Sequence, residues 1–230
     1  MSNIFRHILI ALSVFIGAQL SLAQRTYEPR FSIGGKAGIT LSNMSFTPGV
    51  EQSMKQGLTM GFVARYTEEN FFGLIGELKL EQRGWKENFK DPKFSYTRTL
   101  TYIQLPLLTH IYFGVKNFKG FINLGPSVGY MIGSSTSANF DYKNPSSVEG
   151  FPSANRHTNQ MSMPIKNKFD YGILGGVGME LIIKKRHSIM LEGRYYYGLG
   201  NIFSAKKKDE FSASRGTAIE VTLGYLFRLK

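Results

Sequence analysis

The sequence predicts an all-β chain that closes into an eight-stranded antiparallel up-and-down transmembrane β-barrel. After residue 23, eight segments alternate apolar and polar residues, as strands do because successive side chains point to opposite faces. The gaps after the second, fourth and sixth segments are about four residues long, at 67–70, 114–117 and 184–187. The other gaps are about thirteen residues or longer. Short periplasmic turns and long outer loops are typical of outer-membrane barrels.

The first residues have the pattern of a secretory signal peptide. A basic start at Arg6 precedes an apolar run at 8–15, and small residues precede a cleavage site after Ala23. The run is shorter than the ~20 apolar residues of a spanning helix. We therefore expect a signal peptide at 1–23, one barrel domain at 24–230, and an outer-membrane location with both termini in the periplasm.

Each predicted strand has one apolar face and one face of charged, polar and glycine residues. In the last strand, Leu223 and Tyr225 oppose Glu220 and Gly224. Glycine weakens a solvent-facing strand but makes room for large side chains inside a narrow barrel. The charged face is therefore expected inside and the apolar face against lipid. The strands are predicted at 31–43, 57–67, 71–84, 98–113, 118–132, 169–183, 187–201 and 217–230.

Charges of both signs occur on the inward face in similar number. A buried charge is costly unless it is paired, so we expect these side chains to form a network that fills the lumen. Eight strands leave a lumen only wide enough for its own side chains, which argues against a large pore. The predicted network consists of Lys36, Arg65, Glu77, Lys79, Glu81, Arg83, Glu180, Glu192, Arg194, Glu220 and Arg228.

Aromatic residues cluster near both ends of the predicted strands. Two girdles of amphipathic rings are expected at the two lipid–water boundaries. High β-propensity accounts for the number of aromatic residues but not for this clustering. The predicted interface anchors are Tyr66, Phe72, Trp85, Tyr130, Tyr171, Tyr195, Tyr197 and Phe227.

The composition argues against several kinds of function. The chain has no cysteine, which excludes disulfides, thiol nucleophiles and cysteine metal sites. Removing Arg6 from the 28 basic residues leaves 27 against 16 acidic ones, a net charge of about +11. The export signal favours lipid phosphates over nucleic acid as the reason for this charge.

The four histidines do not predict a catalytic or metal site. Only His110 lies on a strand face that could host one, without a neighbouring serine or a second histidine at ligand spacing. We expect no catalytic residue, metal or cofactor. We expect a monomer that contacts outer-membrane lipid and lipopolysaccharide. A protein partner is expected either in the periplasm or at the cell surface.

Three stretches carry a family resemblance. They are FSIGGKAGITLSN at 31–43, GELKLEQRGW at 76–85, and YIQLPLL at 102–108 followed by FINLGPSVG at 121–129. In this order they resemble the PorT-like outer-membrane β-barrel proteins of Bacteroidota, over nearly the whole mature chain. The resemblance implies an outer-membrane barrel without a single assigned activity. One branch of that family is tied to protein export by the type IX secretion system, and no motif assigns this chain to it.

Three functional hypotheses follow. The preferred one is a non-enzymatic structural or interaction component of the cell envelope. The second is an accessory component of type IX secretion, and the third is a lipid A-modifying enzyme. The loop at 133–168, rich in Ser, Asn and Pro, is the first place to look for a ligand platform, with disorder as the alternative.

Overall fold

The computed structural model describes residues 29–68, 71–91, 93–152, 156–205 and 209–229, and the predicted signal peptide lies outside them. The longest loop contains a 3₁₀ turn at Pro145–Ser147 and one turn of α-helix at Asn159–Ser162. No helix in the described ranges is both long and apolar enough to cross a membrane. The strands are β1 (Arg30–Thr47), β2 (Gln52–Ser53), β3 (Lys55–Thr67), β4 (Phe72–Glu87), β5 (Tyr96–Val115), β6 (Phe118–Ala138), β7 (Phe169–Ile183), β8 (His187–Asn201) and β9 (Ala213–Arg228).

The strands close into one antiparallel barrel. Each long strand pairs with the next long strand in the chain, and β1 also pairs with β9. The two-residue β2 precedes β3 and pairs with the far end of β4. Closure satisfies the backbone groups that a sheet edge would expose to lipid. The predicted all-β barrel of eight long antiparallel strands is confirmed.

The connections alternate between shorter and longer ones, as the sequence predicts, although three of the four longer ones, at 48–54, 88–95 and 202–212, have fewer than the predicted thirteen residues. Short turns at 68–71, 116–117 and 184–186 lie at one end of the barrel, here called the short-turn end. Loops at 88–95, 139–168 and 202–212 lie at the opposite, long-loop end. Both ends of the barrel domain, at Arg30 and Arg228, are at the short-turn end.

Several strands extend farther toward the long-loop end than the sequence predicts. Strand β4 continues to Glu87 and β6 to Ala138, and β5 begins at Tyr96. Because apolar alternation marks only the lipid-facing part of a strand, it stops where the lipid stops. The backbone ladder continues beyond that point with serine and threonine outside, as in the pairing of Thr97 with Ser137.

Side chains alternate between the barrel interior and its outer surface. Along β8 the exposed and buried positions alternate without a break. The outward positions are mostly large apolar residues, among them Phe62, Leu107 and Val177, and each is more than half exposed. A continuous apolar surface of this kind around a closed barrel is typical of the lipid-facing band of outer-membrane barrels.

Candidate functional site

The charged residues of the inward face fill the middle of the barrel. Ten of the eleven predicted lumen charges are at most 6 % exposed, whereas Arg228 at the end of β9 is half-buried. They come from β1, β3, β4, β7, β8 and β9, because inward positions recur at every second residue of each strand. The lumen of this barrel is therefore a packed, charged core.

Glu77 is the centre of the largest group of ion pairs. Arg194 donates two hydrogen bonds to its carboxylate, from Nη2 to Oε1 at 2.6 Å and from Nη1 to Oε2 at 2.8 Å. Lys36 Nζ lies 2.7 Å from Glu77 Oε2, and Arg194 Nε lies 2.6 Å from Glu192 Oε1. Strands β1, β4 and β8 are thereby joined across the lumen by bidentate and charge-assisted hydrogen bonds, the strongest class.

A second group of ion pairs surrounds Lys79. Its Nζ lies 2.6 Å from Glu220 Oε1 and 3.2 Å from Glu81 Oε2, and all three side chains are fully buried. Two carboxylates share one ammonium here, and Arg83 Nε lies 3.8 Å from Glu81 Oε1. The Lys79–Glu220 pair joins β4 to β9, whereas Lys79, Glu81 and Arg83 all lie on β4.

Arg83 lies closer to the long-loop end and contacts two aromatic rings. Its guanidinium carbon is 4.3 Å from the ring centroids of both Tyr102 and Tyr196. Its Nη2 donates to Asp170 Oδ2 at 2.6 Å, and the Tyr196 hydroxyl donates to the same oxygen at 2.7 Å. Cation–π contacts of a desolvated arginine can each be worth about 2 kcal/mol.

Asp170 is the lumen charge that the predicted network omits. It is 6 % exposed, although it stands next to the first residue of β7, where the alternation has only begun. The alternation along the strand could have identified it. Asp170 and Glu180 are an even number of residues apart on β7 and therefore both face the lumen.

At the short-turn end, the lumen contains an arginine–glutamate pair and His110. Among the described residues, His110 is the only histidine inside a strand and not at a strand end. Arg65 donates two hydrogen bonds to Glu180, from Nη2 at 2.7 Å and from Nη1 at 2.9 Å. His110 Nδ1 lies 2.7 Å from Asn123 Oδ1, and the Asn123 amide donates to Glu192. The His110 ring packs beside Tyr112 and Phe121.

A second, largely aromatic core closes the long-loop end. Trp85, Phe203 and Phe211 contact Phe46 with ring centroids 5.2–5.9 Å apart. The loop at 139–168 contributes Met161, which is fully buried. We call this core the outer cap; its buried members are Met44, Phe46, Trp85, Tyr96, Leu100, Tyr102, Met131, Met161, Ile202, Phe203 and Phe211.

Hydrogen bonds to the strand ends hold this loop in the barrel mouth. The Tyr96 hydroxyl donates to the Met161 carbonyl oxygen at 2.7 Å, and Arg98 Nη1 donates to the Met163 carbonyl oxygen at 2.7 Å. The one-turn helix Asn159–Ser162 places both Gln160 and Met161 inside the barrel. The loop is thus folded into the mouth over this stretch, whereas the sequence left open whether it would be ordered.

A buried carboxylate lies between the outer cap and this loop. Glu87 Oε1 accepts hydrogen bonds from Trp85 Nε1 at 3.1 Å and from Gln160 Nε2 at 3.0 Å. Arg156 Nη2 donates to Glu87 Oε2 at 2.8 Å. Glu87 lies seven residues beyond Leu80, the last large apolar residue on the lipid-facing side of β4. Burial raises the pKa of the Glu87 carboxyl above its ordinary value, against the opposing effect of its hydrogen bonds.

The described residues contain no cluster of three or more His, Asp or Glu side chains that could hold a metal ion. Within the same residues, the hydrogen bond of His110 goes to Asn123 and not to a serine. A hydrolytic site needs a nucleophile beside its base. The lumen groups are arranged as mutual ion partners.

A family comparison supports this architecture. Residues 18–204 match the family model described as outer membrane protein beta-barrel domain. The chain belongs to this family. This family and the closed barrel together place the protein in an outer membrane. No curated protein sequence matches the chain.

Solved structures of small outer-membrane barrels resemble this barrel protein. OprG from Pseudomonas aeruginosa has 11 % identity and a TM-score of 0.53, with 87 % of this chain and 95 % of OprG covered. Neisserial surface protein A has 12 % identity and a TM-score of 0.49, with 87 % and 99 % covered. The outer membrane enzyme PagL has 12 % identity and a TM-score of 0.35, also with 87 % and 99 % covered. At these identities the likeness concerns the fold alone.

Seven of the eight predicted interface anchors lie on the outer face of this barrel. Tyr66, Tyr130, Tyr171, Tyr195 and Tyr197 are exposed, whereas Phe72 and Phe227 are half-buried. Exposure on the outer face is compatible with a position at a lipid–water boundary. Their role as anchors stays a prediction.

The prediction that Trp85 is an interface anchor is wrong. Trp85 is completely buried in the outer cap, and its indole N–H donates to Glu87. It shares the inward parity of Glu81 and Arg83 on β4. Position near a strand end suggested an anchor, but parity decides which face a side chain occupies.

Proposed function

We propose that this outer-membrane barrel is a non-enzymatic structural or interaction component of the cell envelope, with a lumen closed to solutes. The observation that carries this proposal is the packed lumen, in which Lys36, Glu77 and Arg194 join facing strands. The outer cap lies between these ion pairs and the long-loop end. An eight-stranded barrel filled by its own side chains leaves no room for a porin-like channel.

Conductance in planar bilayers tests the closed lumen. We expect no stable steps of the order of hundreds of picosiemens, the scale of a porin lumen, from the purified barrel. A general porin in the same bilayers is the positive control for insertion. Reproducible steps of that size from the folded wild-type barrel would contradict the proposal.

A cluster of phenylalanines on the long loops is the best candidate for the interaction surface. Phe89, Phe94, Phe140 and Phe151 contact one another with ring centroids 5.1–6.0 Å apart and remain partly exposed. Arg156 lies over Phe89 at 4.1 Å and ties the cluster to Glu87 and the outer cap. Partly exposed aromatic side chains on a rigid base are typical of protein interaction sites.

Site-specific photocrosslinking in intact cells tests this surface. A photoreactive residue at position 94 is expected to capture a discrete protein partner. The matched control is position 107, which is exposed on the lipid-facing side of β5. If positions 94 and 107 give the same pattern of products, the interaction role of the phenylalanine cluster is refuted.

The finer family assignment, PorT-like with a role as an accessory of type IX secretion, is the second candidate. Besides the sequence resemblance, the charge of the short-turn end favours it. The turns at that end expose Lys116, Lys184, Lys185 and Arg186. A basic surface there suits an acidic periplasmic partner. Deletion of the gene should leave type IX cargo in the periplasm if this candidate holds, and normal secretion would remove it.

The lipid A-modifying alternative depends on His110. Mass spectrometry of lipid A from a His110→Ala strain is expected to match the wild type, because His110 is buried against Asn123. Loss of a lipid A species in that strain would reinstate the enzyme hypothesis.

A further inference from the structure

A cleft opens on the side of the barrel at the long-loop end, between the tops of β6, β7 and β8. Its volume is about 570 Å³. One wall is formed by lipid-facing side chains, Tyr130, Tyr171 and Leu199, and the other by Lys166 and Lys168. The cleft is thus apolar toward the membrane and cationic toward the loops.

The cationic wall is held rigidly against the strands. The backbone N–H groups of Lys166 and Asn167 both donate to the Ile202 carbonyl oxygen, at 3.1 and 3.2 Å. The Met131 N–H donates to the Lys168 carbonyl oxygen at 2.8 Å. The Asn167 side chain donates to the Asn201 carbonyl oxygen at 2.8 Å. The segment 166–168 therefore presents its lysines from a fixed position.

The two ammonium groups are available to a ligand. Lys166 and Lys168 are exposed, and neither forms an ion pair with a carboxylate of the described residues. Elsewhere in the barrel, lysines such as Lys36 and Lys79 are fully occupied by glutamates. The lysines of the cleft thus carry uncompensated positive charge beside an apolar wall.

We propose that this cleft binds a phosphorylated lipid of the outer leaflet. Its phosphate would pair with Lys166 and Lys168, and an acyl chain would lie along Tyr171 and Leu199. Lysine is a common phosphate ligand, and tyrosine is enriched at the level of lipid headgroups. A soluble phosphate would leave the apolar wall without a partner. The proposal rests on the proposed orientation, in which the long-loop end faces outward.

Native mass spectrometry of the detergent-solubilised barrel tests this site. The probes are diphosphorylated lipid A and the same lipid A with its phosphates removed. The wild-type barrel is expected to retain the phosphorylated form preferentially. Replacing both lysines, Lys166→Ala with Lys168→Ala, should weaken that binding about tenfold or more, since both basic groups that attract the anionic headgroup are lost.

The matched control replaces two other exposed lysines of the long loops, Lys93→Ala with Lys143→Ala, and should bind as the wild type does. A third variant, Leu199→Asn, should also weaken binding, because the acyl chain loses its apolar wall. Equal binding of the dephosphorylated lipid, equal loss in the control, or indifference to Leu199→Asn would each overturn the proposal. These readouts need neither an interaction partner nor a conductance measurement, so they can fail independently of the proposed function.

Discussion

At the scale of single residues, the stability of this barrel depends on charges that are almost completely shielded from water. Arg65 and Glu180 are almost completely buried and joined by two hydrogen bonds. When one partner of a buried pair is removed, the other becomes an uncompensated charge in a low-dielectric interior. The cost of a single substitution is therefore larger than the net worth of the pair.

A double-mutant cycle at Arg65 and Glu180 should show this asymmetry. Arg65→Met and Glu180→Gln are each expected to lower the free energy of unfolding by roughly 3–5 kcal/mol. The double variant should be less destabilised than the sum, with a coupling of about 0.5–3 kcal/mol. Urea unfolding in lipid vesicles gives the free energy of unfolding of the wild type, the two single variants and the double variant. Strict additivity would mean that the pair is not energetically coupled.

The docking of the long loop should depend on pH through Glu87. Burial raises the pKa of Glu87 in the folded protein, so the folded state binds the proton more tightly than the unfolded state does. Its stabilising contribution is complete below the ordinary carboxyl pKa of about 4.3 and is lost as pH rises through the raised value. Hydrogen exchange of residues 156–165, corrected for intrinsic rates, should show more protection at acidic pH.

Two variants distinguish Glu87 from other carboxylates in this measurement. Glu87→Gln should abolish the pH dependence, because the side chain no longer titrates. Glu51→Gln should retain it, although Glu51 lies 3.8 Å from the same Arg156, since Glu51 is two-thirds exposed. A pH dependence that persists in Glu87→Gln would assign the effect to another group.

At the scale of elements, β4 shows how one strand serves two environments. Its lower part alternates lipid-facing leucines with lumen charges, and its upper part enters the outer cap at Trp85. Gly84 lies between these parts with φ +145°. The Gly84 N–H donates to Ser42 Oγ at 3.0 Å, and the Ser42 hydroxyl lies 3.2 Å from the Gly84 carbonyl oxygen.

Substitution of Gly84 should disturb this region more than substitution of Gly76 on the same strand. A Cβ at Gly84 would lie 1.9 Å from the Arg98 carbonyl oxygen and would require an unfavourable φ. We expect Gly84→Ala to lower the free energy of unfolding by roughly 1–3 kcal/mol. A Cβ at Gly76 meets no atom within 4 Å, so Gly76→Ala should change it by no more than about 1 kcal/mol. Equal effects in urea unfolding would refute the local clash.

At the scale of the whole molecule, loop length separates the two ends of the barrel and predicts its orientation. Long loops of outer-membrane barrels face outward and short turns face the periplasm. The exposed turn residue Lys116 and the exposed loop residue Ser147 mark the two ends.

Single cysteines can test the orientation because the natural chain contains none. In intact cells, a membrane-impermeant maleimide is expected to label Ser147→Cys and to leave Lys116→Cys unlabelled. Both should react after the outer membrane is permeabilised. The reverse pattern in intact cells would invert the proposed orientation.

Prediction from sequence succeeded where a single periodicity carries the information. The eight strands, the closed antiparallel order and the inward side of Lys79 or Glu220 follow from alternation with a period of two. It failed for Trp85, which was assigned from its place near a strand end instead of its parity. Strand extensions such as β4 to Glu87 were missed because polar ladders above the lipid have no apolar pattern.

The amino-acid pattern alone established the fold class, the alternation of shorter and longer connections, and the inward side of most lumen charges, because these properties depend on local period and chain order. Three-dimensional packing was needed to establish which charges pair, that Asp170 joins Arg83, and that residues 159–163 of the long loop are folded against the outer cap. Those contacts join residues far apart in the chain, as Arg65 and Glu180 are. Their partners are set by barrel closure and side-chain reach, which no local pattern encodes.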